Sequence, residues 1–219
     1  MCLRLNHSHI TRPAHHTPSS PFFFTSPKKK NPINNLNSSS SSSRHVASHR
    51  GNASSCRLLV EEGKANIDCK DDGGDTALHE AARADELDTL LTLITLGAEV
   101  DVRNKLGATP LILASHKGHK AVCKALIKAG AAVTGAKSLM RGGYSPLHAA
   151  AANGSTECLQ ELIDSGASLR HSASESSLRG GSATALELAE ESGQQETARM
   201  LRNASVTEFE KYGMWGKGE

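Results

Sequence analysis

A pattern in the middle of the chain returns 33 residues later. Gly74 to Ala98 reads GDTALHEAARADELDTLLTLITLGA and Gly107 to Ala131 reads GATPLILASHKGHKAVCKALIKAGA, so Gly74, Thr76, Leu78 and Gly97 recur as Gly107, Thr109, Leu111 and Gly130. A fixed period of this length marks a stack of supersecondary units, each too small to bury its own apolar face alone. Such an array grows along one axis and needs no single spherical core.

Within a unit the local signals describe two short helices. Thr76, Thr109, Ser145 and Thr184 stand where an N-cap hydroxyl accepts from an orphan amide, and Pro110 and Pro146 follow at the first helical position, where a missing N–H does no harm. Gly63, Gly97, Gly130 and Gly166 close second helices, where a left-handed residue is wanted. Leu78, Leu111, Leu147 and Leu186 begin the buried rows of the first helices. On the second helices Leu90, Leu93 and Ile94, and again Leu159, Leu162 and Ile163, follow i, i+3, i+4 spacing.

Thr76-Ala77-Leu78-His79-Glu80-Ala81-Ala82 and Ser145-Pro146-Leu147-His148-Ala149-Ala150-Ala151 resemble the T-P-L-H-x-A-A signature of the ankyrin-repeat family. The resemblance implies an all-α ankyrin-repeat solenoid of about five helix-turn-helix repeats. It also implies that His79 and His148 are buried hydrogen-bonding posts joining neighbouring repeats, a place taken by Ile112 and Glu187 in the third and fifth.

The two ends of the array are imperfect. Arg44 to Gly63 reads as a degenerate first repeat, with Ser43 and Arg44 where Pro and the buried Leu belong, which leaves its first helix in question. The third-to-fourth and fourth-to-fifth connections exceed the period by three and six residues, a lengthening that costs about a few tenths of a kcal/mol in closure entropy. Gly181 to Arg202 reads as an outer cap whose second helix turns polar on one side. Beyond it, Phe209, Tyr212 and Trp215 either pack on the last repeat or hang free. The expected organisation is a disordered basic Ser/Pro-rich leader at 1–43, a repeat domain at 44–206 and a C-terminal tail at 207–219.

Charge separates the leader from the array. No Asp or Glu precedes Glu61, so residues 1–60 carry +8 and the remainder −6, a division hidden in the net +2. Residues 1–43 admit three readings: a solvated tail or misplaced start, an organelle transit peptide, and a nuclear signal around Lys28-Lys29-Lys30. Aromatics are 3% of the chain, too few for a large globular enzyme core and sufficient for stacked Ala and Leu helices. Five cysteines, odd in number and without a C-x-x-C, describe neither a disulfide framework nor a zinc ribbon. Cys56 and Cys123 share a repeat position on an apolar helix face, where a thiol acts as a small hydrophobe. This usage points to the cytoplasm or nucleus, and to a plastid or mitochondrion if the leader is a transit peptide. Phe22-Phe23-Phe24 is too short for a secretory segment, and no apolar run reaches the length of a membrane span.

Catalytic signatures are near misses. His79-Glu80 opens like H-E-x-x-H, but Arg83 occupies the second histidine's place. His116, His119 and Cys123 have ligand chemistry, yet the register puts them at a helix end, a helix start and the core, away from a tetrahedral convergence. Phosphate-cradling and nucleophile-elbow motifs are missing from the sequence. No catalytic residue, metal site, cofactor or small-molecule substrate is expected.

Function then rests on the surface. A repeat solenoid offers an extended concave face of inner helices and loop tips whose side chains packing does not fix. The register places Glu80 and Arg83, then Leu113, His116 and Lys117, then Asn153, then Leu188 and Glu191 on inner helices, with Arg103 and Lys105 at a loop tip. Leu113 and Leu188 are expected as exposed apolar anchors within a polar rim. The stretched connections share Ser-Leu-Met-Arg-Gly-Gly against Ser-Leu-Arg-Gly-Gly, so Leu139, Met140, Arg141, Leu178 and Arg179 are candidate gripping fingers. The expected function is a non-catalytic adaptor or scaffold that binds another protein, as a monomer and without nucleic acid. The alternative is a regulatory or targeting subunit whose basic tail engages nucleic acid or an organelle import receptor.

Overall fold

A computed structural model of the chain describes residues 40–61, 66–134, 144–173 and 182–212, with side chains from 45 to 207 in those segments. Helices come in pairs: α1 (Ser40–His49) with α2 (Ala53–Glu61), α3 (Ala77–Arg83) with α4 (Leu87–Thr95), α5 (Pro110–Lys117) with α6 (Lys120–Lys128), α7 (Pro146–Asn153) with α8 (Thr156–Asp164), and α9 (Ala185–Glu191) with α10 (Gln195–Tyr212). First helices pack on first helices and second on second, giving two parallel rows, α1-α3-α5-α7-α9 and α2-α4-α6-α8-α10. The solenoid expected from the period, of the helix-turn-helix kind that the resemblance implies, is therefore what forms. To it the fold adds one short antiparallel pair, β1 (Ser172–Ala173) with β2 (Ala183–Thr184), which pinches the base of the longer connection in the register Ser172 to Thr184.

Leucine fills the space between the rows. Leu78, Leu90, Leu93, Leu111, Leu126, Leu147, Leu159 and Leu162 are all buried to within 1% of complete, each contributing about 1.5–3 kcal/mol through removal from water. Leu186, expected in this row, is only half-buried against the core. The rows also compensate in volume. Where a second helix carries Cys56 or Cys123, the first helix opposite carries Ser48 or Ser115, with Oγ to Sγ distances of 3.3 and 3.6 Å. Where Leu90 or Leu159 stands at that position, the partner shrinks to Ala82 or Ala151, all four buried.

The first helices α5, α7 and α9 start in the same way. Thr109, Ser145 and Thr184 accept through their hydroxyls from the amides of Ile112, His148 and Glu187. The third residue often returns the bond: Thr76 N donates to His79 Nδ1 at 3.1 Å, Ser145 N to His148 Nδ1 at 3.3 Å, and Thr184 N to Glu187 Oε2 at 2.7 Å. This is a capping box, in which histidine replaces the usual Glu in repeats two and four and Glu187 keeps it in repeat five. With Nδ1 accepting, His79 presents Nε2–H to the Ala108 carbonyl of the next repeat at 3.1 Å. His79 is thus the inter-repeat post that the family resemblance implied.

The same post settles the question of the first repeat. His45 lies 34 residues before His79, and its Nε2 is 2.6 Å from the Asp75 carbonyl, the counterpart of Ala108. Helix α1 forms in spite of Ser43 and Arg44, and begins at Ser40, before the expected boundary at 44. At the other end α10 runs on to Tyr212, past the expected start of the tail at 207. The rest of the leader and Trp215 lie outside the described residues.

The corner between the two helices of a repeat is also shared with the next repeat. Gly51, Gly118 and Gly154 hold left-handed φ of 66, 81 and 75°, and the space a Cβ would need there is occupied by Glu86, Ser155 and Gln194 respectively. Repeat two differs: its corner is Asp85, at φ 62°. Asp85 Oδ1 lies 3.6 Å from Nδ1 of His119, whose Nε2 donates to the Arg83 carbonyl at 3.1 Å.

Candidate partner-docking face

The hairpin tips along one edge of the first helices are built by one rule. Asp71 Oδ1 accepts from Gly73 N and Asp75 N, both at 2.8 Å. One repeat on, Asn104 Oδ1 accepts from Leu106 N at 3.0 Å and Ala108 N at 2.9 Å. Being an amide, Asn104 also donates, from Nδ2 to Asp75 Oδ1 at 2.7 Å. Lys70 Nζ donates to the Arg103 carbonyl at 2.9 Å and Lys105 N to the Gly73 carbonyl at 3.0 Å, so the tips form a continuous edge.

Behind this edge sits a polar network. Arg83 donates to Glu80 Oε1 at 2.6 Å and, through its other terminal nitrogen, to Asp75 Oδ2. Glu80 Oε2 lies 3.4 Å from His49 Nδ1. Burial alone would raise the Asp75 carboxyl, but hydrogen bonds from Asn104 and Arg83 outweigh it and leave the group below the usual carboxylate range. Burial likewise works against charge on Arg83, and Asp75 and Glu80 overcome it. The carboxylates of Asp71, Asp75 and Glu80 converge, yet each is occupied by an amide or guanidinium of the chain itself. Glu80 and Arg83 thus spend their charge within the array.

Between α5 and α7 the character changes. A cleft of about 320 Å³ is lined by Leu106, Ala108, Ile112, Leu113, His116, Tyr144 and Ala149. Ala108, Ile112 and Ala149 form its buried floor, with Leu113 and Tyr144 packed half-covered against them. The cause is Ile112: a histidine here, as at His79 and His148, would have carried a polar ring toward the next hairpin, and the aliphatic side chain leaves that space apolar. Leu106 forms the lip, 63% exposed. On the far wall the Tyr144 hydroxyl donates to the His148 carbonyl at 3.4 Å, and the Tyr144 ring is 5.7 Å from that of His148. His171 meets the other edge of His148 at 5.8 Å. Burial, then the neighbouring His171, pushes His148 down to about 4 against the raising effect of the Ala183 and His171 backbone.

Leu113 and His116 come together in this cleft, and Lys105 and Lys117, next in sequence to the lining residues Leu106 and His116, are exposed. His116, itself exposed, is shifted down by desolvation and by Lys117. Asn153 is exposed and donates to the His116 carbonyl. Arg103 and Glu191 are half-buried. Leu188 requires correction: it is only 4% exposed and cannot serve as a surface anchor. The position four residues after each cap lies in the seam between neighbouring first helices, and α9 packs against both α7 and α10. Leu113, at the same place, is accordingly half-covered rather than free. Leu139, Met140, Arg141, Leu178 and Arg179 lie outside the described residues. Sequence reasoning missed Leu106 and Tyr144. The available signal was Leu106 itself, a large apolar residue at the tip position that Gly73 holds one repeat earlier.

Paired helices stacked in two rows, with hairpin tips along one edge, define a helix-turn-helix repeat solenoid. The chain belongs to the ankyrin-repeat family: the family pattern, described as ankyrin repeats in three copies, matches residues 22–104, 90–173 and 136–210. Similar proteins include the tyrosine-protein kinase Shark of Drosophila melanogaster, 34% identical over 54% of this chain and 12% of the kinase. Ankyrin repeat and SOCS box protein 16 of Homo sapiens is 37% identical over 50% of this chain and 23% of its own length. The probable E3 ubiquitin-protein ligase XBOS33 of Oryza sativa subsp. japonica is 35% identical over 59% of this chain and 25% of its own. The chain spans a quarter or less of the length of these relatives. Among the described residues no helix is long and apolar enough to cross a membrane.

Proposed function

We propose that the array is a non-catalytic docking module, an adaptor or scaffold that holds a partner protein against its first-helix face and hairpin tips. The observation that carries this reading is the cleft over Ile112. Next to the paired Asp75, Glu80 and Arg83, it offers a contiguous apolar surface with Leu106 at its lip, the anatomy of an apolar centre within a polar rim. The relatives support it from another side. A kinase, a SOCS-box protein and a probable ubiquitin ligase share only 12, 23 and 25% of their lengths with this chain, as a docking unit reused beside different activities would. Immobilised full-length chain, mixed with cell extract and treated with an amine-reactive crosslinker, tests the reading. Crosslinks to a captured protein are expected from Lys105 and Lys117 on the first-helix face. Crosslinks confined to Lys120 and Lys128 of α6, or no capture above background, would overturn it.

A further inference from the structure

Resting on that docking reading, we infer that the Ile112 cleft receives an acidic peptide segment of a partner protein, one bulky apolar side chain entering the cleft while flanking Asp or Glu residues meet Lys105 and Lys117.

Size sets the first constraint. About 320 Å³ lies at the bottom of the range that small-molecule sites occupy, roughly 300–1,000 Å³, and suits an anchoring side chain better than a cofactor. Chemistry sets the second. Ala108, Ile112 and Ala149 at the floor offer no side-chain hydrogen-bonding group, so whatever enters is apolar. Charge sets the third. Lys117 stands one helical turn after the lining residue Leu113, and Lys105 precedes the lip residue Leu106 in the hairpin, its Cγ lying over Gly74 of the preceding repeat. Both lysines are exposed, and among the described residues neither has a carboxylate partner within ion-pair distance. The acidic cluster one repeat back is engaged by the chain itself: Asp71 by the amides of Gly73 and Asp75, Asp75 by Asn104 and Arg83, Glu80 by Arg83. A basic rim beside an apolar cleft favours an anchor with acidic neighbours and disfavours one with basic neighbours.

Selection of a random peptide library displayed on phage against the immobilised full chain tests this. The expected winners carry a Leu, Ile, Met or aromatic residue with Asp or Glu close on either side. Their affinity, measured by fluorescence anisotropy, should fall at least tenfold on Lys105→Glu/Lys117→Glu, whose exposed positions leave the fold intact, and on Leu113→Asp. Replacing the winners' acids with Lys should restore binding to the double-Glu variant. Melting curves check that each variant folds; if Leu113→Asp does not, the charge-reversal pair decides alone. Winners without acidic enrichment, winners indifferent to the double-Glu variant, or no winners overturn the inference. A concentration-dependent dimer abolished by the same changes would give the cleft to a second copy and overturn it too. The two readings fail separately: crosslinks through Lys70 to a captured protein that persist in the double-Glu variant would retain docking and remove the acidic peptide, whereas no capture by the unaltered chain would remove both.

Discussion

Asn104 donates from Nδ2 to Asp75 Oδ1 at 2.7 Å, binding the hairpin of one repeat to the carboxylate that precedes the cap of the repeat before it. The same side chain accepts two amides of its own hairpin, so one residue holds both the turn and the joint. Asn104→Ala is expected to destabilise the array by about 1–3 kcal/mol, since it leaves buried groups unpaired, and Asn104→Asp to do so more near neutral pH by setting two carboxylates together. Urea denaturation at pH 7 and pH 4 separates the two, because the Asp penalty shrinks on acidification while the Ala penalty does not.

Leu147→Ala should cost about 2–5 kcal/mol, as for a fully enclosed leucine. Leu113→Ala, at a half-covered cleft wall, should cost less than half as much while weakening partner capture. Chemical denaturation of both, beside the capture assay, checks the contrast; equal losses would place Leu113 in the core.

Acidification should weaken the array through its buried histidines. His148 sits near 4 when folded, against about 6.5 in an unfolded chain, so the unfolded state takes up the proton first as pH falls. Stability from this group is complete above pH 6.5 and is lost progressively between 6.5 and about 4, up to about 3 kcal/mol. His79 shifts in the same direction, chiefly through burial. Urea midpoints across this window, with an NMR titration of the His148 ring, give the sign and the position.

Period and caps made most of this legible without coordinates. Thr76, Pro110, Ser145 and Gly97 report backbone requirements that hold wherever they recur, so the helix pairs and their order followed. The first repeat was obscured because its apolar signal had decayed at Ser43 and Arg44, while the polar signal that survived, His45, meets a carbonyl 30 residues away. The exposure of Leu113 and Leu188 was overstated for a different reason. Register says where along a helix a residue stands, and only the reach of neighbouring side chains decides how far it is covered. Ile112 was visible as an exception to the histidine pattern, but a missing polar ring becomes a cleft only once Tyr144 and Leu106 are seen beside it.

Thiol labelling offers a measure of how the stack opens. Cys56, Cys123 and Cys158 are buried, the last two with sulfurs 3.4 Å apart, whereas Cys69 is half-exposed. Cys69 should react with an aromatic disulfide reagent within the mixing time, and the three buried thiols only as the array opens. Cys123 and Cys158 should then appear together, since they share one seam. Fast reaction of Cys158 with Cys123 still protected would mean that Cys158 is reached from within repeat four and not by opening of the shared seam.

The corner contacts make the array read like a sentence with word order. Glu86 reaches the glycine of repeat one, Ser155 that of repeat three and Gln194 that of repeat four, but repeat two presents Asp85 and receives His119. A tandem copy of repeat two would place Asp85 against a second Glu86, carboxylate facing carboxylate, while repeat three moved up behind repeat one would bring His119 to a glycine with no acid to meet. Units that look interchangeable by their caps are therefore addressed to particular neighbours, and shuffled or duplicated versions of this chain should assemble worse than their shared signature suggests.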